Sequence, residues 1–408
     1  MRGKMNSIDF LKESKDIENE LLRNQQFLHQ NAEVGFELSQ TAEYVRTKLE
    51  ELGCEVKSCG KNGLVSLIGK GQGKTFLLRA DMDALPIKEE ADIECACETG
   101  NMHACGHDFH TAMLLGAAKL LKSHENEING TVKLMFQPAE EILSGAKNMI
   151  ENGVLENPKP DGALMLHVMA GLPLKTGTII VANGVSAPAA DYFTINIQGK
   201  GCHGSTPQQG VDALTIGAQI LIALQEINAR ELGVSDEATL TIGKMNGGTT
   251  GNVIADKAIL EGTLRAYDED IRSHIKKRIS EITQGIAISF RGKGSADFGN
   301  GCPPLKNDRE LSEEIEGYLT DAFGEEWVLN TDKMGGRTNK SGGSEDFSYI
   351  SQEIPSVMLA LAAGNSEEGY IYPQHHPKVK FDESVLSIGS AVLAHSAFSW
   401  LENHQYRC

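Results

Sequence analysis

The 408-residue chain has no apolar run approaching the roughly 18 residues needed to cross a bilayer, so no membrane-spanning helix is expected. Its first stretch, Met1–Glu20, is charged and amphipathic and lacks the apolar core of a signal peptide, which predicts a cytoplasmic setting. Positive charge is short. Thirty-eight Lys and Arg stand against 56 Asp and Glu, a formal net charge of -18. Nucleic acid and anionic membrane both require basic surface, so neither is expected as a partner. Cysteine is also thin: Cys54, Cys59, Cys95, Cys97, Cys105, Cys202, Cys302 and Cys408 are too scattered for a disulfide scaffold. No internal repeat or low-complexity segment is evident. What remains, 40% hydrophobic and 23% charged, is the profile of a soluble globular chain. Its length is too great for one ordinary core and predicts two domains.

Residues Asp9–Gln30 and Gln40–Leu52 carry helical spacing. Short apolar runs at Gly63–Gly69, Thr75–Ala80, Thr131–Phe136, Gly162–Leu166 and Thr178–Ala182 read as strands. Helical segments such as Thr111–Lys122 and Gly145–Glu151 lie between them. Strands alternating with helices form crossover units, which predicts an α/β fold with a doubly wound, largely parallel sheet. Gly69–Gly73 resembles a phosphate loop but lacks its continuation, and reads as a hairpin turn.

After Ser186 the pattern changes. Tyr192–Gln198 reads as a strand, Val211–Glu231 as a helix, and Ala238–Lys244 and Lys257–Tyr267 as strands. Asp270–Ile286 reads as a helix and Ala287–Arg291 as a last strand. That order is ferredoxin-like. Helical and strand segments then resume with Leu311–Phe323, Pro355–Ala360 and Glu383–Glu402. The expected organisation is a catalytic domain at 1–186 and 299–408, interrupted by an α+β lid at 187–298. Helix Val211–Glu231 carries apolar residues on several sides, from Leu214 to Ile227, so a second lid packed about a two-fold axis is expected to cover it.

The densest chemical signal is Met102-His103-Ala104-Cys105-Gly106-His107-Asp108-Phe109-His110, just before a helix. Imidazole and thiolate both bind borderline-soft divalent metals, and Gly106 lets the backbone bend so that Cys105 and His107 can converge. A second signal is the strand ending in Gln137-Pro138-Ala139-Glu140-Glu141. Adjacent carboxylates point in different directions, so one can bind metal while the other faces an attacking water. His167 ends an apolar run, and His375 and His376 lie in Tyr372–Pro377. Each signal alone has a plain structural reading: a capped core histidine, a solvated helix start, a surface turn. Together they bring Cys, His, Glu, His and His from four segments, at least three of them just after predicted strands, where open α/β sheets bind ligands. Asp81 and Asp83, also after a strand, suit ligands or partners holding a histidine ring. In the lid, the segment Gly199–Pro207 with His203, the segment Gly251–Ile254 with Asn252, and Arg265 suit a polarised carbonyl and a substrate carboxylate.

The motifs R-A-D-M-D-A-L-P, M-H-A-C-G-H-D-x-H-T-A-M, Q-P-A-E-E, L-H-V, G-K-G-x-H-G-S-x-P, N-V-I-x-D, G-T-x-R, G-S-E-D-F and a late H-P resemble the aminoacylase and carboxypeptidase metallohydrolase family. The similarity runs from about Phe27 to Glu383 and is to the branch of N-acyl-amino-acid amidohydrolases, hippurate hydrolases and auxin-conjugate hydrolases. The resemblance implies that Cys105, His107, Glu141, His167 and His375 bind two divalent metals, with Cys105 bridging. The metals would be Zn, Mn, Co or Ni. Adjacent His376 leaves the last ligand open between the two. The resemblance further implies Glu140 as catalytic base and Asp83 as the residue orienting a ligand. Asp81 stands where other branches place a metal-binding histidine. His203 would meet the substrate from the neighbouring subunit of a homodimer, with Asn252 and Arg265 binding the substrate. The expected activity is cleavage of small N-acyl amino acids. A dipeptidase or carboxypeptidase using the same site, and a non-catalytic metal-binding protein, are the alternatives.

Overall fold

The computed structural model describes residues 8–334 and 342–405. Residues 1–7 of the amphipathic N-terminal stretch, and Cys408, lie outside the described residues. The chain divides into two compact units, one of Met1–Ser186, Lys306–Asn339 and Tyr349–Cys408, the other of Ala187–Leu305 and Lys340–Ser348.

The first unit begins with helices α1 (Phe10–Asp16), α2 (Glu18–Gln30) and α3 (Ser39–Glu51). The expected single helix to Gln30 is thus broken at Ile17, whose N–H bonds back to Ser14 and Lys15 carbonyls. Strands β1 (Val56–Ser58), β2 (Leu64–Gly69) and β3 (Thr75–Asp81) follow, then α4 (His107–Ser123), β4 (Thr131–Gln137), α5 (Gly145–Glu151), β5 (Gly162–Met169) and β6 (Ile179–Val181). The second unit holds β7 (Ala189–Gln198), α6 (Ala213–Glu226), β8 (Ala238–Gly247), β9 (Lys257–Ala266), α7 (Glu269–Ser289) and β10 (Lys293–Cys302). The chain then returns to the first unit with α8 (Arg309–Phe323), β11 (Val328–Asn330), β12 (Ser356–Ala362) and α9 (Val385–Asn403).

In the first unit an eight-stranded sheet has the order β1-β2-β4-β3-β5-β12-β6-β11. Its centre, β4-β3-β5-β12, is parallel. Strands β3 and β4 are buried at every position, as expected for parallel strands covered on both faces. The carboxyl ends of β3, β4 and β5 therefore open together, which is where the chemical motifs lie. Residues Gly69–Gly73 are not a hairpin, as the sequence suggested. Strands β2 and β3 both pair with β4, which runs between them, so the turn steps over an intervening strand.

The second unit is a four-stranded antiparallel sheet, β8-β9-β7-β10, with two helices: the ferredoxin-like arrangement. Its last strand is not Ala287–Arg291. Ile275, Ile279, Thr283 and Ala287, four apart and all buried, continue the stripe of α7 through that segment. The actual strand, Lys293–Cys302, is poor in apolar residues and is held by pairing with β7. Helix α6 likewise ends before Glu231, in a π-turn at Ile227–Glu231. Its Ile216, Ile220, Leu224 and, just beyond it, Ile227 fit one buried stripe, whereas Leu214 and Ile222 are exposed.

Candidate metal centre

Helix α4 starts at the αL residue Gly106. A Cβ there would lie 2.4 Å from a Val168 methyl, so only glycine lets the turn carrying Cys105 and His107 approach β5 this closely. Strand β4 ends at Gln137, and Ala139 (φ 58°) and Leu143 (φ 52°) bend the next residues sharply. Strand β5 carries His167 near its carboxyl end.

These segments bring Cys105, His107 and His167 within 4.8 Å of one another, measured between potential ligand atoms. Cys105, Glu141 and His375 form a second such group, and His107, Glu140 and Glu141 a third. Cys105 Sγ lies 3.6 Å from His167 Nε2. His375 Nε2 lies 3.5 Å from a Glu141 carboxylate oxygen. His376 is turned away, stacked on Tyr372 and accepting the Lys378 N–H through Nδ1. Of the two neighbours, the structure brings His375 to the cluster.

The donors fit a cation. His107 donates from Nδ1 to the Asp83 carbonyl at 2.8 Å, so in the neutral form that ligates, its lone pair is on Nε2. Burial disfavours the charged ring, but without a cation Asp81 overrides burial and raises the ring well above its usual range. The Nε2 atom is buried and makes no hydrogen bond among the described residues. A buried imidazole acceptor without a partner is costly unless a metal takes its lone pair. Burial pushes the Cys105 thiol well above its usual range, so a thiolate here requires a cation beside it. Burial, with His107 and His167 nearby, pushes His375 below its usual range and favours the neutral form that ligates.

Asp83 does more than orient a ring. Its carboxylate accepts the N–H groups of Glu140 (2.9 Å) and Glu141 (3.1 Å), while its carbonyl, rather than its side chain, takes the His107 hydrogen bond. One residue therefore aligns segments from β4 and α4. Asp81 is engaged by Arg79 at 2.6 Å and by His110 at 2.6 Å, all three buried. Burial opposes ionisation of Asp81, but His107, Arg79 and His110 outweigh it and hold the carboxyl well below its usual range. His110 accepts the Val168 N–H through Nε2 at 2.9 Å. Burial overrides Asp81 and pushes His110 down to about 3, so it serves as a neutral bridge.

Behind the ligand turn, Asp108 accepts from His29 at 2.8 Å and Gln25 at 2.6 Å, and His29 also meets Glu89. The partnership of His29 with Asp108, 79 residues away, carried no local signal in the sequence. Gln374 was equally silent, being one polar residue in a turn.

The lid residues belong to the second unit. His203 and Val253 are paired on a short ribbon, and Gly204 N–H donates to the Asn252 carbonyl at 2.8 Å. His203 and Asn252 thus stand side by side, both exposed. The Ser205 N–H donates to His203 Nδ1 at 3.1 Å. Arg265 lies on β9 over the Tyr192 ring and donates to the Leu264 carbonyl.

Residues 77–399 match Peptidase family M20/M25/M40. The chain belongs to this family. N-acetyl-L-cysteine deacetylase of Bacillus subtilis (strain 168) is 35% identical over 392 residues, 95% of this chain and 90% of that protein. IAA-amino acid hydrolase ILR1-like 2 of Arabidopsis thaliana is 34% identical over 401 residues, 97% of this chain and 88% of its own. Among solved structures, the Bacillus subtilis YXEP protein, described as a dinuclear metal binding peptidase from the M20 family, aligns with a TM-score of 0.78 at 30% identity. That alignment covers 95% of this chain and 99% of YXEP. The M20 chain is accordingly a hydrolase of amide bonds that uses divalent metal ions. No helix among its described residues is long and apolar enough to cross a membrane.

Proposed function

We propose that this protein is an N-acyl-amino-acid amidohydrolase that works with two divalent ions. The observation carrying the proposal is that Cys105 belongs to two separate ligand groups, one completed by His107 and His167, the other by Glu141 and His375. A thiolate common to both groups is suited to bridging. When bound by these residues, the ions would acidify a water and polarise the scissile carbonyl.

Glu140 is the base in this reading. It is nearly buried, it is fixed through its N–H to Asp83, and it shares a group with His107 and Glu141. It would take the proton of the attacking water and return it to the leaving nitrogen. His203 would donate to the oxyanion: with Nδ1 accepting from Ser205, a neutral ring carries its proton on Nε2. Asn252 and Arg265 would hold the amino-acid carboxylate, for which a guanidinium offers a two-pronged fit. The reading includes a homodimer through the inserted unit, supported by exposed Leu214 and Ile222 on α6.

The test begins with metal analysis of the purified protein. Acetyl-, benzoyl- and indoleacetyl-amino acids are then compared with dipeptides as substrates. Acylated substrates should be cleaved, chelation should abolish cleavage, and Zn²⁺, Mn²⁺, Co²⁺ or Ni²⁺ should restore it. Preference for dipeptides with a free amino group would replace this reading with the peptidase one.

A further inference from the structure

The two ligand groups share more than Cys105. The Val168 peptide, immediately after His167, is a hydrogen-bonding hub within the first unit. Its N–H donates to His110 Nε2 at 2.9 Å. Its carbonyl accepts from His167 Nδ1 at 2.7 Å and from Gln374 Nε2 at 2.9 Å. The first of these carbonyl bonds fixes the His167 tautomer, placing the lone pair on Nε2, the atom that faces Cys105. The second anchors the residue just before His375.

His375 needs such an anchor. It sits at φ 65°, in the left-handed region that few non-glycine residues adopt. Its side chain is 53% exposed, so packing holds it little. The segment is held at His375 by its own N–H, donated to the Ala104 carbonyl at 2.9 Å, just before it by the Gln374 amide on Val168, and two residues on by the Glu90 N–H on the Pro377 carbonyl at 2.8 Å. A half-exposed ligand in a left-handed backbone conformation is thereby tied to the segments that carry Cys105 and His167.

Resting on the two-metal reading above, we infer that Gln374 is a positioning residue that holds His375 in ligating geometry by bonding to the Val168 carbonyl. Loss of that bond lets the half-exposed His375 leave its ligating geometry and weakens the metal position formed by Cys105, Glu141 and His375. The position formed by Cys105, His107 and His167 does not depend on it, because His167 donates to the carbonyl directly.

Two nearly isosteric variants test this. Gln374→Glu replaces the donor with a carboxylate that repels the carbonyl, and Gln374→Met removes the polar group. The metal-free proteins are titrated with Co²⁺, following the thiolate charge-transfer and ligand-field bands, with equilibrium dialysis for stoichiometry. The parent should bind two equivalents. Both variants should bind one equivalent with parental affinity and the other about 10–100-fold more weakly, the range for loss of a partner that orients a ligand. Variants that bind both equivalents as the parent does overturn the role of Gln374. Equal weakening of both equivalents also overturns it, since that would mark a general structural defect. A parent that binds fewer than two equivalents overturns the two-metal reading instead.

Discussion

In the proposed reading, Glu140 differs in role from the adjacent Glu141, and Cys105 from the other cysteines, because their surroundings differ. Glu140→Gln should lower kcat by about 10²–10⁴ while metal content stays at the parental level, since it removes a base and not a ligand. Paired activity and metal measurements check this; loss of metal would make Glu140 a ligand. Cys105→Ser should lose bound metal, whereas Cys54→Ser and Cys302→Ser, both buried away from the cluster, should keep it. Equal metal content in all three would remove Cys105 from the ligand set. The His29–Asp108 pair carries a pH signature. Burial lowers the His29 pKa, but Asp108 and Glu89 more than compensate and raise it well above 6.5. Burial raises Asp108, yet His29 and Gln25 bring it down to about 2. The His29 contribution is therefore complete below its unfolded pKa of about 6.5 and fades as pH rises through the folded value. The Asp108 contribution is present above its unfolded pKa of about 3.9 and fades as pH falls toward the folded one. His29→Leu should cost about 3–5 kcal/mol near pH 5.5 and less in alkaline buffer. Urea unfolding at the two pH values decides it, and a pH-independent cost would show that the pair is not ionised.

Among the elements, the carboxyl ends of β3, β4, β5 and β12 and the segments after them hold the candidate ligands because the parallel centre of the sheet aims these ends to one side. Their shape depends on contacts that no local pattern announces. At Gly145, the first residue of α5, a Cβ would sit 1.6 Å from the Pro138 carbonyl oxygen. Gly285 in α7 has open space around the same position. Gly145→Ala should therefore destabilise by about 3 kcal/mol and disturb Glu140 and Glu141, while Gly285→Ala should stabilise by up to about 1 kcal/mol through helix propensity. Thermal unfolding of the two variants gives opposite signs if this is right. The sequence signalled the strong elements: β3 and β4, each with an apolar centre, and the long helices α4 and α7 were legible, except for the last turn of α7, which read as a strand. Strand β10 was not, since Lys293–Cys302 contains three glycines at 294, 299 and 301 and is a strand only because β7 lies beside it.

For the whole molecule, the proposed dimer makes a prediction that no single residue does. If His203 serves the partner's site, inactive Glu140→Gln and His203→Ala chains should partly rescue each other when mixed and allowed to exchange subunits. One site of the mixed dimer would then hold both intact residues. Activity that stays at background after exchange has been demonstrated by mass spectrometry would place His203 in its own subunit's site or in none. The exposure of Leu214 and Ile222 bears on the same point. The spread of apolar residues around α6 was legible from sequence, but the structure divides them into a buried stripe and an outward pair.

The sequence by itself determined the donor types and their local spacing: Cys105 and His107 flanking a glycine, two carboxylates after a strand, a histidine closing an apolar run. Those are short-range facts, set by periodicity and turn chemistry within a few residues. Tertiary structure decided which donors meet. It turned His375 toward Glu141 and stacked His376 on Tyr372, and it engaged Asp81 with Arg79 and His110. It also joined Gln374 to the Val168 carbonyl across 206 residues of chain. The physical reason is that a hydrogen bond or ligand group between distant segments depends on where the sheet ends those segments, and adjacent histidines in a turn look alike until that geometry exists.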